Sequence, residues 1–220
     1  MKSPKTWPIL YDYPRAPSPR RARIVLAEKG ITHDTVVVDL ATAEQLGEAF
    51  RLINPACTVP ALALPGGPNG QVVLTDNAAI AAWAEAHQPD PPLFGRDPLD
   101  RAEIASWHSK AEGEGLMAIA EAMRNTAPAM KGRALPGPVD YAQIPELAAR
   151  GLARLQDFLS RLDAHLAGRE FLAASGFSIA DITAGVALDF ARVLRVDPDD
   201  GRPNVATWRA RLRGRASFGL

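Results

Sequence analysis

Three short stretches hold the residues with most to offer a reaction. In Asn54-Pro55-Ala56-Cys57-Thr58-Val59-Pro60-Ala61-Leu62 a proline stands where an apolar strand begins, a position at which it normally removes a ladder hydrogen bond. A cis Val59-Pro60 bond would turn the chain so that the Val59 N–H and C=O stay unpaired. Such an edge accepts an extended peptide ligand by main-chain pairing; the plainer reading is an edge-strand proline with no ligand. Asp76 and Asn77 open a helical stretch, where a side-chain oxygen caps free N–H groups and the same N–H groups favour an anion. Capping alone would satisfy both residues. Ser18 lies between Pro17 and Pro19, a few residues beyond Tyr11 and Tyr13, and all three hydroxyls are donors.

The single cysteine, Cys57, permits no internal disulfide and no CxxC redox pair; it reads as a small buried hydrophobe. His33, His87, His108 and His165 show no metal-ligand spacing, so no metal is expected. His108 shares a helical face with Glu112, and Trp107, Ile104 and Met117 lie nearby. Together they could line an apolar pocket, with core packing the plainer reading for the last three.

The elements that must position these groups alternate over the first 88 residues. A short strand at residues 9–11 precedes Pro14, Pro17 and Pro19, and a helix over 20–29 stops at Gly30. A β-branched strand lies within 32–39, and a weaker helix covers 44–52. Residues 59–64 and 71–74 form a hairpin about a turn at 65–70, and a last helix runs from Thr75 or Asp76 to about His87. The order is β-α-β-α-β-β-α. Pro89, Pro91, Pro92 and Pro98 then make residues 89–98 a stiff linker. Residues 99–220 read as wholly helical. A long helix over 99–124 is weakened by Gly113 and Gly115, at about 1 kcal/mol each, and 125–140 reads as a loop. Leu155, Phe158, Leu159, Leu162 and Leu166 keep one apolar face, as do Ile179, Ile182, Val186, Phe190 and Val193. Ser178 and Asp181 fit a capping box, flanked by Phe177 and Ile182 as a hydrophobic staple, and carry a structural role. Arg202, Arg209, Arg211, Arg213 and Arg215 read as a solvated helix face around Trp208 and Leu212.

Composition removes several partner classes. The 220 residues carry 25 basic and 25 acidic side chains, net charge zero, so nothing marks a nucleic-acid or anionic-membrane surface. Hydrophobic residues at 47% and charged residues at 23% are globular values. The residues from Met1 to Trp7 lack a signal-peptide core, and a cytoplasmic location is expected.

Taken in order, Arg23-Ile24-Val25-Leu26-Ala27-Glu28-Lys29-Gly30, the Asn54-Pro55 and Val59-Pro60-Ala61-Leu62 segment, Leu74-Thr75-Asp76-Asn77-Ala78-Ala79-Ile80 and the Ser178 to Asp181 box resemble the soluble glutathione transferases. The resemblance implies a thioredoxin-like domain binding glutathione at residues 1–88 and an all-helical domain at 99–220 that supplies a pocket for a hydrophobic electrophile. It also implies a homodimer. Val59 and Pro60, with Thr58 beside them, match the family's docking point for the cysteinyl unit of glutathione. Asp76 and Asn77 fall where the family reads the γ-glutamyl group, usually with an acid followed by Ser.

The chain departs from the pattern at Ala16-Pro17, which occupies the place of the Ser-Pro or Cys-Pro of many relatives. That leaves Ser18 as the expected catalytic hydroxyl, with Tyr13 and Tyr11 as alternatives. Arg15, Arg20, Arg21 and Arg23 are expected to help it as a cationic cluster. The function implied is conjugation of the glutathione thiolate to an electrophile. A glutathione-dependent isomerase, peroxidase or ether-cleaving enzyme is an alternative, and so is a non-catalytic binding protein on the same fold.

Overall fold

The computed structural model describes residues 7–66 and 70–220. The first six residues of the stretch read for a leader, and the middle of the 65–70 turn, lie outside them. The chain divides into two compact units: one runs to Pro91 and includes Pro136–Val139, the other comprises Pro92–Leu135 and Asp140–Leu220.

The first unit contains β1 (Ile9–Asp12), α1 (Pro17–Glu28), β2 (Asp34–Val37), a 3₁₀ turn at Glu44–Leu46, α2 (Glu48–Arg51), β3 (Ala61–Pro65), β4 (Gln71–Leu74) and α3 (Asn77–His87). The strands lie in the order β2-β1-β3-β4. β1 and β2 are parallel, and β3 is antiparallel to both of its neighbours. This is a thioredoxin-like domain, followed by an all-helical one. Leu10 and Leu62 face each other at its centre, neither exposed, and Ile24, Leu26 and Ile80 bury the helix faces.

Two boundaries differ from the sequence reading. α1 begins at Pro17 rather than residue 20, because proline is tolerated where a helix's first N–H groups have no partner. Ser18 therefore sits in the first turn of a helix and not in a loop. β3 begins at Ala61, which leaves Val59 and Pro60 outside the ladder. Past the Lys29 C-cap of α1 the chain turns at Gly30, whose φ of 62° suits glycine. There the Ile31 N–H reaches the Leu26 carbonyl at 2.9 Å and the Gly30 N–H reaches Ala27 at 3.0 Å.

The second unit contains α4 (Pro98–Lys110), α5 (Met117–Arg124), α6 (Pro145–Leu166), α7 (Ile179–Phe190) and α8 (Pro203–Arg213). The expected helix over 99–124 is continuous, but its two glycines fall in a π-helical turn at Ala111–Leu116 that joins α4 to α5. A Cβ on Gly115 would come within 3.0 Å of the Phe158 ring. α6 buries Leu155, Phe158, Leu159, Leu162 and Leu166, the face that the periodicity marks. α7 is buried along its length from Ile179 to Leu188.

The arginines of the last helix correct the reading of a solvated face. Arg209 is buried, 2.6 Å from Asp199 and 2.9 Å from Asp189. Arg215 stacks 3.8 Å over the Phe177 ring, and Arg211 lies over Phe171. The compensating acids and rings come from other segments, so the run reads as wholly solvent-facing, whereas of the five arginines only Arg213 is exposed.

Candidate functional site

Residues 54–60 form a tight loop between α2 and β3, organised by one buried side chain. Asn54 is 1% exposed. Its Nδ2 donates to the Thr58 carbonyl at 2.8 Å and to Thr58 Oγ1 at 3.2 Å, while its Oδ1 accepts from the Ala56 N–H at 3.0 Å. The loop passes through Cys57 with φ of 56°, a left-handed conformation unusual for a side-chain-bearing residue. Cys57 is 2% exposed and its thiol faces the Pro55 carbonyl, so it packs as a small hydrophobe. The Val59-Pro60 peptide bond is cis. Among the described residues the Val59 N–H and C=O have no hydrogen-bond partner. The Val59 side chain is held in a cluster with Val38 and Phe50, against which Tyr11 and Tyr13 pack. The Tyr11 ring meets Phe50 edge-on at 5.9 Å.

The loop after β1 ends in α1, whose N-cap is Ala16, with no side-chain cap. Ser18 therefore caps nothing, and its hydroxyl has no partner among the described residues. Pro17 and Pro19 have no N–H to offer, and the Arg20 N–H is turned to the Ala16 carbonyl at 3.4 Å. The donors left in the first turn are thus the N–H and Oγ–H of Ser18. Of the expected arginine cluster Arg15 is exposed, but Arg21 and Arg23 are not open cations. Arg23 Nη1 lies 2.5 Å from the buried Asp12 carboxylate and its Nη2 also reaches the Pro14 carbonyl, while Arg21 is buried. Arg23 pins the β1–α1 loop instead.

At the start of α3 Asp76 is the N-cap, accepting from the Ala79 N–H at 2.8 Å. Its carboxylate remains exposed, with lone pairs to spare. Asn77 occupies the first helical position, and its amide has no partner among the described residues.

The pocket residues expected on the long helix lie in the second unit. Trp107 is 9% exposed and packs at a tilt against His165 with ring centroids 4.0 Å apart, and Lys110 Nζ lies 4.7 Å from its ring centroid. Ile104 is likewise buried, whereas Met117 is half exposed and not a core residue. His108 Nδ1 is 3.2 Å from Thr183 Oγ1, and its Nε2 is 3.9 Å from Glu112. The His108–Thr183 contact ties α4 to α7. Asp181 at the start of α7 is wholly buried and receives Leu172 N–H, Ser178 N–H, Ser178 Oγ–H and Trp208 Nε1–H, all within 3.0 Å.

Burial pushes the His165 imidazole below its ordinary value, and Arg169 and Lys110 add to this against the Leu172 carbonyl. The unfolded chain therefore binds this proton more readily than the native one. Stability is whole above the unfolded value near 6.5 and is lost as pH falls through the lower folded value. Urea midpoints measured from pH 7.5 to 5.5 should decline, and His165→Gln should decline less steeply. Equal slopes would exclude His165 as a source of the decline.

Asn54 is the loop-organising residue that residue-type reasoning passes over. Asn followed by Pro reads as a turn signal, and only the fold shows that its amide holds the carbonyl of Thr58.

Comparison with known proteins places the architecture. A family model described as the N-terminal domain of glutathione S-transferase matches residues 16–87, and one described as the C-terminal domain matches residues 145–211. A glutathione S-transferase domain-containing protein from Marinobacter aquaeolei VT8 is 34% identical, with a TM-score of 0.80 over 96% of this chain and 99% of that one. Glutathione S-transferase 2 of Saccharomyces cerevisiae is 29% identical over 212 residues, 95% of this chain and 87% of its own length. A glutathione S-transferase from Methylobacillus flagellatus KT, solved with glutathione bound, is 27% identical, with a TM-score of 0.78 over 96% of this chain and 97% of its own.

Proposed function

This chain belongs to the glutathione S-transferase family, and on that premise we propose that it binds glutathione and transfers its thiolate to the electrophilic carbon of an apolar substrate. The observation that carries the reading is the open main chain of Val59 beside Thr58 and Pro60. An extended cysteinyl unit would pair with that N–H and C=O as an added strand. Asp76 supplies a carboxylate for the γ-glutamyl ammonium, and Asn77 an amide donor for its carboxylate, at a helix N-terminus that favours the anion. A relative solved with glutathione bound supports the glutathione reading as a whole. Homodimeric assembly, a cytoplasmic location and a substrate pocket in the helical domain belong to this proposal.

Ser18 is the proposed thiolate donor. A free thiol with pKa near 8.5 is about 3% thiolate at pH 7, and lowering it by two units takes ~2.7 kcal/mol. A hydrogen bond to a charged group contributes roughly 1.5–3 kcal/mol, and the helix N-terminus ~0.3–1. With Pro17 and Pro19 silent, the hydroxyl and N–H of one residue carry both contributions. Ser18→Ala should raise the pKa of bound glutathione by about one unit, read from thiolate absorbance, and lower kcat/KM at pH 6.5 about tenfold. An unmoved pKa in Ser18→Ala with a raised one in Tyr13→Phe or Tyr11→Phe would transfer the role to a phenol.

Calorimetric titration with millimolar glutathione tests the reading as a whole. Binding accompanied by turnover of a chloronitrobenzene is the expected result. Binding without turnover would make the chain a glutathione-binding module, and no binding would defeat the proposal.

A further inference from the structure

Ser18 offers its N–H and hydroxyl from a helix turn that no side chain caps. The N-cap is Ala16, and the Arg20 N–H meets the Ala16 carbonyl only at 3.4 Å. The turn before it, from Tyr13 to Ala16, is closed by the Ala16 N–H on the Tyr13 carbonyl at 3.0 Å. The strand end of this segment is well fixed. The Asp12 carbonyl accepts from the Val38 N–H at 2.8 Å, and Tyr13 packs on the cluster of Val38, Phe50 and Val59. Tyr13 thus joins the loop to the docking segment, whereas Pro14 and Arg15 in the middle of the loop are exposed.

Arg23 bridges the exposed middle. It stands in the second turn of α1 and reaches back to both sides of Tyr13. Its Nη1 lies 2.5 Å from Asp12 Oδ1, and its Nη2 donates to the Pro14 carbonyl at 3.3 Å. The two side chains are 14% and 4% exposed. A buried ion pair is by itself weak ground for stability, because desolvation of both charges offsets much of their attraction. What a guanidinium adds is its fork, two N–H groups in one plane that hold a carboxylate and a main-chain carbonyl at once. Arg23 therefore sets how the end of β1 stands against the start of α1, and with it where the Ser18 donors stand relative to Val59. All of these residues belong to the first unit.

We propose that Arg23 is a positioning residue for thiolate stabilisation, acting on the Ser18 donors through the Pro14 carbonyl and Asp12. The assignment rests on the glutathione function proposed above. A hydrogen bond weakens steeply as its donor leaves the line of the acceptor, so a displaced turn is felt in thiolate formation and turnover before it is felt in affinity.

Arg23→Lys tests it in the full chain. Lysine keeps the charge and can keep the pair with Asp12, but one ammonium does not reproduce the planar fork. The thiol pKa of bound glutathione, read from thiolate absorbance, should rise by about half a unit, and kcat at saturating glutathione and pH 6.5 should fall roughly two- to threefold. Calorimetry with S-methylglutathione, which has no thiol to ionise, should give the wild-type Kd. Asp12→Asn keeps the shape and the tie to Pro14 but removes the charge, so it should lower the unfolding temperature more than Arg23→Lys and raise the thiol pKa less. A wild-type pKa and kcat in Arg23→Lys would overturn the assignment. So would weakened S-methylglutathione binding in that variant, the mark of a merely structural role, or a larger pKa rise in Asp12→Asn, which would make the ion pair and not the fork the cause. Where Arg23→Lys yields no folded protein, Asp12→Asn still decides, since a pKa rise of about half a unit there overturns the assignment. A wild-type chain that binds no glutathione defeats the proposed function and this assignment with it. A wild-type chain that lowers the thiol pKa, matched by Arg23→Lys, defeats this assignment alone.

Discussion

Replacing Asp181 with Ala should lower the stability of the protein by about 3–5 kcal/mol, the largest single effect expected. The carboxylate accepts from Leu172, Ser178 and Trp208 in a place with no access to water. Its removal leaves two backbone N–H groups, a hydroxyl and an indole N–H buried without an acceptor, each costing roughly 1–3 kcal/mol before relaxation. Burial pushes the carboxyl upward, while the donors from Leu172, Trp208 and Ser178 draw it down. The four donors make the residue an acceptor hub rather than an acid. Asp181→Asn keeps the shape but sets an NH₂ group against two of the donors, so it should recover only part of the loss. Ser178→Ala, which gives up one of the four donors, should cost about 1 kcal/mol. With domain stabilities of about 5–15 kcal/mol, Asp181→Ala should show a lower urea midpoint by circular dichroism and reduced soluble yield. A midpoint within 1 kcal/mol of wild type would mean that the network is not the keystone of α7.

The second large effect is at Asn54. Asn54→Ala should weaken glutathione binding by roughly 10–100-fold and lower stability by about 1–3 kcal/mol. Its amide alone ties the Thr58 carbonyl and the Ala56 N–H together across the loop. That tie also holds Cys57 in its left-handed conformation, which costs of order 1 kcal/mol or more if nothing enforces it. Released, the loop no longer presents the Val59 N–H and C=O in a fixed direction, and the ligand must order it on binding. Asn54→Asp discriminates position from bulk. It has the same shape but faces the Thr58 carbonyl with an oxygen, so it should be at least as damaging as Ala. Calorimetry with glutathione, beside thermal unfolding of each variant, separates the two effects. A folded Asn54→Ala protein with wild-type affinity would exclude Asn54 as a positioning residue.

Much of the fold is legible in residue order, because its signals are local. Apolar spacing from Leu155 to Leu166 marks the buried face of α6, and Ser178 with Asp181 marks the start of α7 by side chains that cap within one turn. The hairpin of β3 and β4 and the Asp76 cap are equally short-range. Signals that need a distant partner are not legible in this way. The charge run from Arg202 to Arg215 reads as solvated, since Asp189, Asp199, Phe171 and Phe177 approach only through tertiary folding. Arg23 reads as a candidate for anion binding until Asp12 is seen against it. The prolines before α1 suggest a break, yet two of them belong to the first turn and decide which donors survive there. Of the candidate site, the docking segment and the α3 N-terminus are visible from spacing. Asn54 is not, because it acts through a main-chain carbonyl that no residue type announces.

Four residues from the middle of the chain, Pro136–Val139, belong to the first unit although the segments on either side belong to the second. Within that first unit a Cβ on Gly137 would stand 3.6 Å from the Ala56 carbonyl, in the loop that Asn54 organises. The thioredoxin-like part is therefore not a cassette that a single cut after Pro91 could release whole. A chimera joined at that point would combine one parent's docking loop with the other parent's residues 136–139. In such a chimera the approach of residues 136–139 to the docking loop is made by parts of different parentage, so the segment that packs with the first unit is longer than its continuous stretch of sequence.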